Sequence, residues 1–95
     1  MAVLVGRCRA EILVVESRSL KERRRVVDSL VEQLRQRFNV SVGQVDCGEQ
    51  WNRVVLGIAA VGNERRFLDS VLTRVVNTLE EDRRISVLGV EVEID

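Results

Sequence analysis

Apolar residues along this 95-residue chain recur at every second position, then at every third or fourth, and the sequence repeats that change. Residues 3 to 14 alternate. Leu4, Gly6, Cys8, Ala10 and Ile12 form one face, and Val3, Val5, Arg7, Arg9 and Glu11 form the other, charged from Arg7 onward. A period of two is that of a strand with one face in a core. At Ser19 the rhythm changes. Val27, Leu30, Val31, Leu34 and Phe38 recur at helical spacing, so a helix with one buried stripe is expected there. Ser19-Leu20-Lys21-Glu22 matches the capping box, in which a hydroxyl and a carboxylate satisfy orphan amides of the first turn. Asn39, which tolerates left-handed geometry, is the expected terminator.

A short strand is predicted from Val40 to Val45, then a turn through Asp46-Cys47-Gly48-Glu49-Gln50. Arg53 to Val61 is apolar at nearly every position, the mark of a strand shielded on both faces. Gly62 ends it, and Asn63 is the expected cap of a second helix whose buried stripe is Phe67, Leu68, Val71, Leu72, Val75, Val76 and Leu79. Residues 80 to 84 are a polar exit. The last strand alternates, with Leu88, Val90, Val92 and Ile94 inward and Val87, Gly89, Glu91 and Glu93 outward.

The order β-α-β-β-α-β predicts a single α+β domain over residues 1–95, a ferredoxin-like sandwich. Its four antiparallel strands would lie in the order 4-1-3-2, with both helices on one face. Right-handed crossovers leave few alternatives. In that order the first and last strands are neighbours, so Arg7 and Arg9 share the open face with Glu91 and Glu93 and would neutralise them. A base-stacking platform needs aromatic rings on the central strands. Those positions hold Val, Gly, Ala and Arg, and the single Trp, Trp51, is expected to be a packing anchor at the mouth of the third strand. What remains outward is Val3, Val5, Val55, Ala59, Val61, Ile85 and Val87. A contiguous apolar area of this kind is expected to bury itself in a homo-oligomer, most simply a dimer.

The chain carries 15 Lys and Arg against 15 Asp and Glu, so its net charge is zero and a general affinity for nucleic acid is not implied. The distribution changes that picture. Arg18, Lys21, Arg23, Arg24 and Arg25 crowd the first turns of the first helix, where the peptide dipoles already present positive charge. Two readings follow. In one, the cluster is a solvated face, with Arg24 paired to Asp28 and Glu22 to Arg25. In the other, an anion docks on the amides of residues 19 to 22 beside Arg18, Ser19, Lys21, Arg23, Arg24 and Arg25, and RNA phosphate is the natural candidate.

Catalytic chemistry is sparse. With no His and no Tyr, the commonest general base is missing. No cysteine has metal-ligand spacing, no glycine run forms a phosphate loop, and no catalytic residue, metal or cofactor is expected. Cys8 is expected to be a small core residue and Cys47 a loop thiol. Two lone thiols fit a reducing cytoplasm. No apolar run approaches the roughly 20 residues that span a bilayer, so no membrane role is expected. The strand pattern begins at residue 3, so no cleavable presequence is expected.

Ser17-Arg18-Ser19-Leu20-Lys21-Glu22-Arg23-Arg24-Arg25 resembles the RSLKEKR run of the YlxP-like bacterial proteins, with Arg23 in place of a Lys. Arg37 to Val42 resembles their RFNVSV segment. Trp51, Leu56-Gly57, Asn63 and the closing Val90 to Ile94 are similar as well. The resemblance covers essentially the whole chain and implies a ferredoxin-like fold. Genes of that family often neighbour those for transcription elongation, translation initiation and small-subunit maturation factors. The resemblance therefore implies ribosome-linked work, with ribosomal RNA or the small ribosomal subunit as the expected partner.

Overall fold

The structure, a computed structural model, describes residues 2–46 and 52–95. The expectations for Cys47, Trp51 and most of the turn around them lie outside the described residues. Six elements run in the expected order: β1 (Leu4–Val14), α1 (Leu20–Arg37), β2 (Ser41–Asp46), β3 (Arg53–Gly62), α2 (Arg65–Glu81) and β4 (Ile85–Ile94). All strand pairs are antiparallel and the sheet order is β2-β3-β1-β4, the ferredoxin-like arrangement.

Alternation in β1 and β3 builds one side of the core. Cys8, Ala10, Ile12 and Val14 meet Val54, Leu56 and Ile58, and all are buried. The helices close it with Val27, Leu30 and Leu34 from α1 and Leu68, Leu72, Val75 and Leu79 from α2. Ten of these residues retain under 2% of their surface, which makes a tightly packed, aliphatic core. Gly6 is part of that fit, because a Cβ there would stand 3.0 Å from Leu72 Cδ1. Phe38, at the exit of α1, packs partly against the core beneath the Arg74 guanidinium, 5.4 Å from its ring centroid.

Several expectations are corrected. The pairing of β1 with β4 slips by one residue: Glu11 lies opposite Gly89 but Ile12 lies opposite Val87. The extra residue, Leu88, reverses the alternation below it. Ile85 and Val87 therefore point into the core rather than outward, Ile85 at 7% exposure. Leu88 itself is exposed. Phe67 is exposed too, so the stripe of α2 is narrower than predicted. The N-cap of α2 is Glu64, not Asn63, and its side chain makes no capping bond. The helix α1 ends on Phe38 with an extended backbone, and Asn39 is not left-handed; among the described residues the one non-glycine residue with positive φ is Glu16, in the turn from β1 to α1.

Candidate functional site

The start of α1 is built by short-range hydrogen bonds. Ser19 is extended (φ −154°, ψ 163°), and its hydroxyl accepts from the Glu22 amide at 3.1 Å. The Glu22 carboxylate reaches back and accepts from the Arg18 amide at 2.7 Å. The Ser19 carbonyl takes the Arg23 amide and the Ser17 hydroxyl, both at 3.1 Å. The hydroxyl half of the expected capping box forms, but the Glu22 carboxylate bonds the amide of Arg18, one residue before the cap, instead of that of Ser19. Among the described residues the amides of Ser19, Leu20 and Lys21 make no hydrogen bond.

The cations divide into two sets. Arg23 is 9% exposed and folded into the protein, so it is not offered to an external phosphate as the sequence had suggested. Arg18, Lys21, Arg24 and Arg25 are exposed, and none forms an ion pair among the described residues. The expected Arg24–Asp28 and Glu22–Arg25 pairs do not form. In the latter case the Glu22 carboxylate is already committed to the Arg18 amide.

The turn into β4 extends this surface in a way the sequence did not announce. Asp82 accepts from the Arg84 amide at 2.9 Å, from Nε at 3.0 Å and from Nη2 at 2.7 Å. The remaining nitrogen of Arg84, Nη1, donates to Ser29 Oγ of α1 at 2.9 Å. These hydrogen bonds hold the Asp82 carboxyl below its ordinary pKa and push the Arg84 guanidinium above its own. Lys21, Arg25 and Ser29 are four residues apart and share one side of the helix. Their stripe therefore runs straight to Arg84. With a separation of 55 residues, this contact left no periodic signal.

At the opposite end of the sheet α2 starts with Arg65 and Arg66, both exposed, and no acid in its first turn. Sequence reasoning missed this second basic start because it is only two residues long.

The open face of the sheet differs from the apolar surface expected there. The register pairs Arg7 with Glu93 and Arg9 with Glu91 as predicted, but the ion pairs are Arg7–Asp95 and Arg9–Glu11, the latter at 4.0 Å. Arg53 joins Glu11 at 3.1 Å. Val55, opposite Glu11, is 3% exposed and so is not available to a partner. Of the residues expected at an oligomer interface, Val3 and Val61 are exposed, Val5 and Ala59 are half-buried, and Val55, Ile85 and Val87 are withdrawn from this face or from solvent. A groove of about 720 Å³ crosses this face, floored by Gly43, Gly57 and Ala59 and edged by Arg7 and Arg9. It is narrowed by Val45, whose Cγ1 lies 2.8 Å from where a Cβ on Gly57 would stand.

Among the described residues no three His, Cys, Asp or Glu side chains converge on a metal position. The Cys8 thiol is buried, and burial raises its pKa, which makes it a poor nucleophile. No described helix is long and apolar enough to cross a membrane.

The family profile of DUF503, a protein of unknown function, matches residues 5–92. This chain belongs to the DUF503 family. It is 32% identical over 73 residues to the uncharacterized protein YlxP of Bacillus subtilis (strain 168), covering 77% of this chain and 79% of that one. Among solved structures it resembles the de novo designed protein Foldit4, with a TM-score of 0.56, 16% identity, and 99% and 97% of the two chains covered. It also aligns with the de novo designed protein LFR1 1 with ferredoxin fold, at a TM-score of 0.48 and 14% identity over 96% of this chain and 82% of that one. The Foldit4 likeness, at this identity, speaks to the fold alone.

Proposed function

We propose that this DUF503 protein is a small RNA-binding module, working with ribosomal RNA or the small ribosomal subunit in the cytoplasm, that takes phosphate along the outer side of the α1 start. The observation that carries this reading is the exposure of Arg18, Lys21, Arg24 and Arg25 without a carboxylate partner among the described residues. Four like charges beside the positive end of a helix repel one another and the dipole. A phosphate chain relieves both conflicts and releases its counterions in doing so. The Ser19 hydroxyl and Glu22 carboxylate already occupy the Glu22 and Arg18 amides, which supports contact through side chains rather than through a deep amide nest. Among the described residues the sheet strands carry no aromatic side chain, which agrees with backbone contact rather than base stacking.

The test is binding of small-subunit ribosomal RNA across a salt series. Each phosphate contact contributes about 0.7–0.9 to the slope of log affinity against log salt. Arg24→Glu with Arg25→Glu is expected to lower that slope by about two contacts' worth and to weaken binding at low salt. Arg65→Glu with Arg66→Glu, at the far end of the molecule, is expected to leave it nearly unchanged. Equal binding by the parent and the α1 variant rejects the proposal.

A further inference from the structure

The two edges of the sheet are unequal. At the β2 edge the strand is six residues long, its pairing is broken between Gln44 and Asp46, and Arg35 Nη2 donates to the Val42 carbonyl at 2.8 Å. A short strand, a bulge and a covering side chain are the usual ways to blunt an edge. The β4 edge is ten residues long; beyond its bulge at Leu88 it runs straight from Gly89 to Ile94, with no Pro and no Lys, and among the described residues no side chain lies across it by hydrogen bond. Its direction can be worked out. Val5 and Asp95 exchange both backbone hydrogen bonds, at 3.0 and 2.9 Å. Bonded and non-bonded pairs alternate along an antiparallel ladder, so Arg7–Glu93 and Arg9–Glu91 are bonded pairs and Cys8–Val92 and Ala10–Val90 are not. The amides and carbonyls of Val90 and Val92 therefore face away from the sheet. Their side chains, on the helix face, are 37% and 42% exposed, and Leu88 beside them is 44% exposed. A hollow of about 230 Å³ between β4 and α2, lined by Leu72, Thr73 and Val76, lies next to them.

We infer that β4 pairs antiparallel with β4 of a second copy, joining two four-stranded sheets into one, with Val90 on the twofold axis opposite its own symmetry mate. Charge selects both the occupant and the register. Outward-facing residues must meet outward-facing residues, which leaves three registers near the centre of the straight segment. With Val92 on the axis, Glu91 lies opposite Glu93 twice. With Glu91 on the axis, it lies opposite itself. Like charges directly opposite one another are unfavourable. With Val90 on the axis, Glu91 meets Gly89 and no carboxylate meets another. The same register sets Val92 against Leu88 on both sides, so the three exposed apolar residues of β4 in each copy are covered together. A foreign strand would need this same alternation, whereas a second copy supplies it by symmetry.

The decisive measurement is mass by light scattering across a dilution series, followed by oxidative cross-linking in a Cys47→Ser background. The parent is expected to have the mass of a dimer that dissociates on dilution, and Val92→Lys, at an exposed position, the mass of a folded monomer. Val90→Cys is expected to give a disulfide-linked dimer, because directly paired strand residues lie within bridging distance. Val92→Cys is expected to give none, while Val92→Cys combined with Leu88→Cys is expected to cross-link. A parent of monomeric mass at every concentration overturns the pairing. Cross-linking by Val92→Cys alone, without cross-linking by Val90→Cys, overturns the register. Loss of RNA binding in the α1 variant leaves these outcomes unaffected, so the two proposals fail separately.

Discussion

The two ends of the helical layer are finished by different means. At one end lie the start of α1 and the exit of α2. There the Ser19 hydroxyl and the Glu22 carboxylate accept from the amides of Glu22 and Arg18, and Asp82 clamps Arg84, which holds Ser29 of the neighbouring helix. At the other end lie the exit of α1 and the start of α2. Here Glu64 offers no capping bond, α1 stops on Phe38 with only its amide bonded back to Leu34, and the Arg74 guanidinium rests on the Phe38 ring. One end is fixed by a set of directed polar bonds; the other relies mainly on packing, with one side-chain bond from Arg35 to the Val42 carbonyl near the exit of α1. The exposed cations of α1 stand on the fixed end. A surface that must present several charges to a phosphate chain gains from being held in place before the ligand arrives.

The largest effect expected from breaking this contrast is in the packing itself. Leu72 is 1% exposed, faces Gly6 across the core, and holds α2 where the unbonded start cannot. Leu72→Ala is expected to cost about 2–5 kcal/mol in denaturant unfolding. A loss under about 1 kcal/mol would mean that α2 is held by something other than its buried stripe.

The clamp at the polar end comes next. Asp82→Ala removes the acceptor for three Arg84 donors and loosens the tie to Ser29. The expected loss is about 1–2 kcal/mol at neutral pH, kept small because Arg84 is partly in solvent. Its sign with pH follows from the lowered Asp82 pKa. A carboxyl that ionises more readily when folded adds stability above the unfolded value of about 3.9, and that stability fades as pH falls through the folded value. The gap between parent and variant is therefore expected to be widest near neutrality and to close in acid. A gap that widens in acid would reverse the assignment.

How much of this was readable in advance depended on the range of each interaction. Ser19 and Glu22 are three residues apart, and their bond was legible as spacing. The placement of Arg7 beside Glu93 followed once the strand order was known, because register carries side chains along with it. Ile85 and Val87 were misplaced because one bulged residue, Leu88, inverts a face, and an inserted residue leaves a strand's composition unchanged. Arg23 read as one more exposed cation because charge suggests solvent, while its position on the helix takes it inward. Arg84 was invisible as a partner of α1 for a simpler reason: the chain travels through β2, β3 and α2 before returning to Ser29.

The smallest effects separate the two helix starts most directly. Ser19→Ala removes a hydroxyl that accepts the Glu22 amide, so a loss of about 1 kcal/mol is expected. The corresponding change at α2, Glu64→Ser, acts in the other direction. Glu64 already has extended backbone (φ −141°, ψ 124°), the geometry an N-cap requires, and its side chain makes no capping bond. A serine hydroxyl there gains an amide donor from the first turn. Against that, the change gives up a carboxylate next to the positive end of the dipole, a contribution of about 0.3–1 kcal/mol. The net expectation is a gain of a few tenths of a kcal/mol, read as a small rise in the denaturant midpoint at constant slope. Opposite signs for Ser19→Ala and Glu64→Ser would uphold the contrast between a start fixed by polar bonds and one left to packing. A loss at Glu64 comparable to that at Ser19 would mean that the carboxylate already does for α2, through charge alone, what the Ser19 cap does for α1.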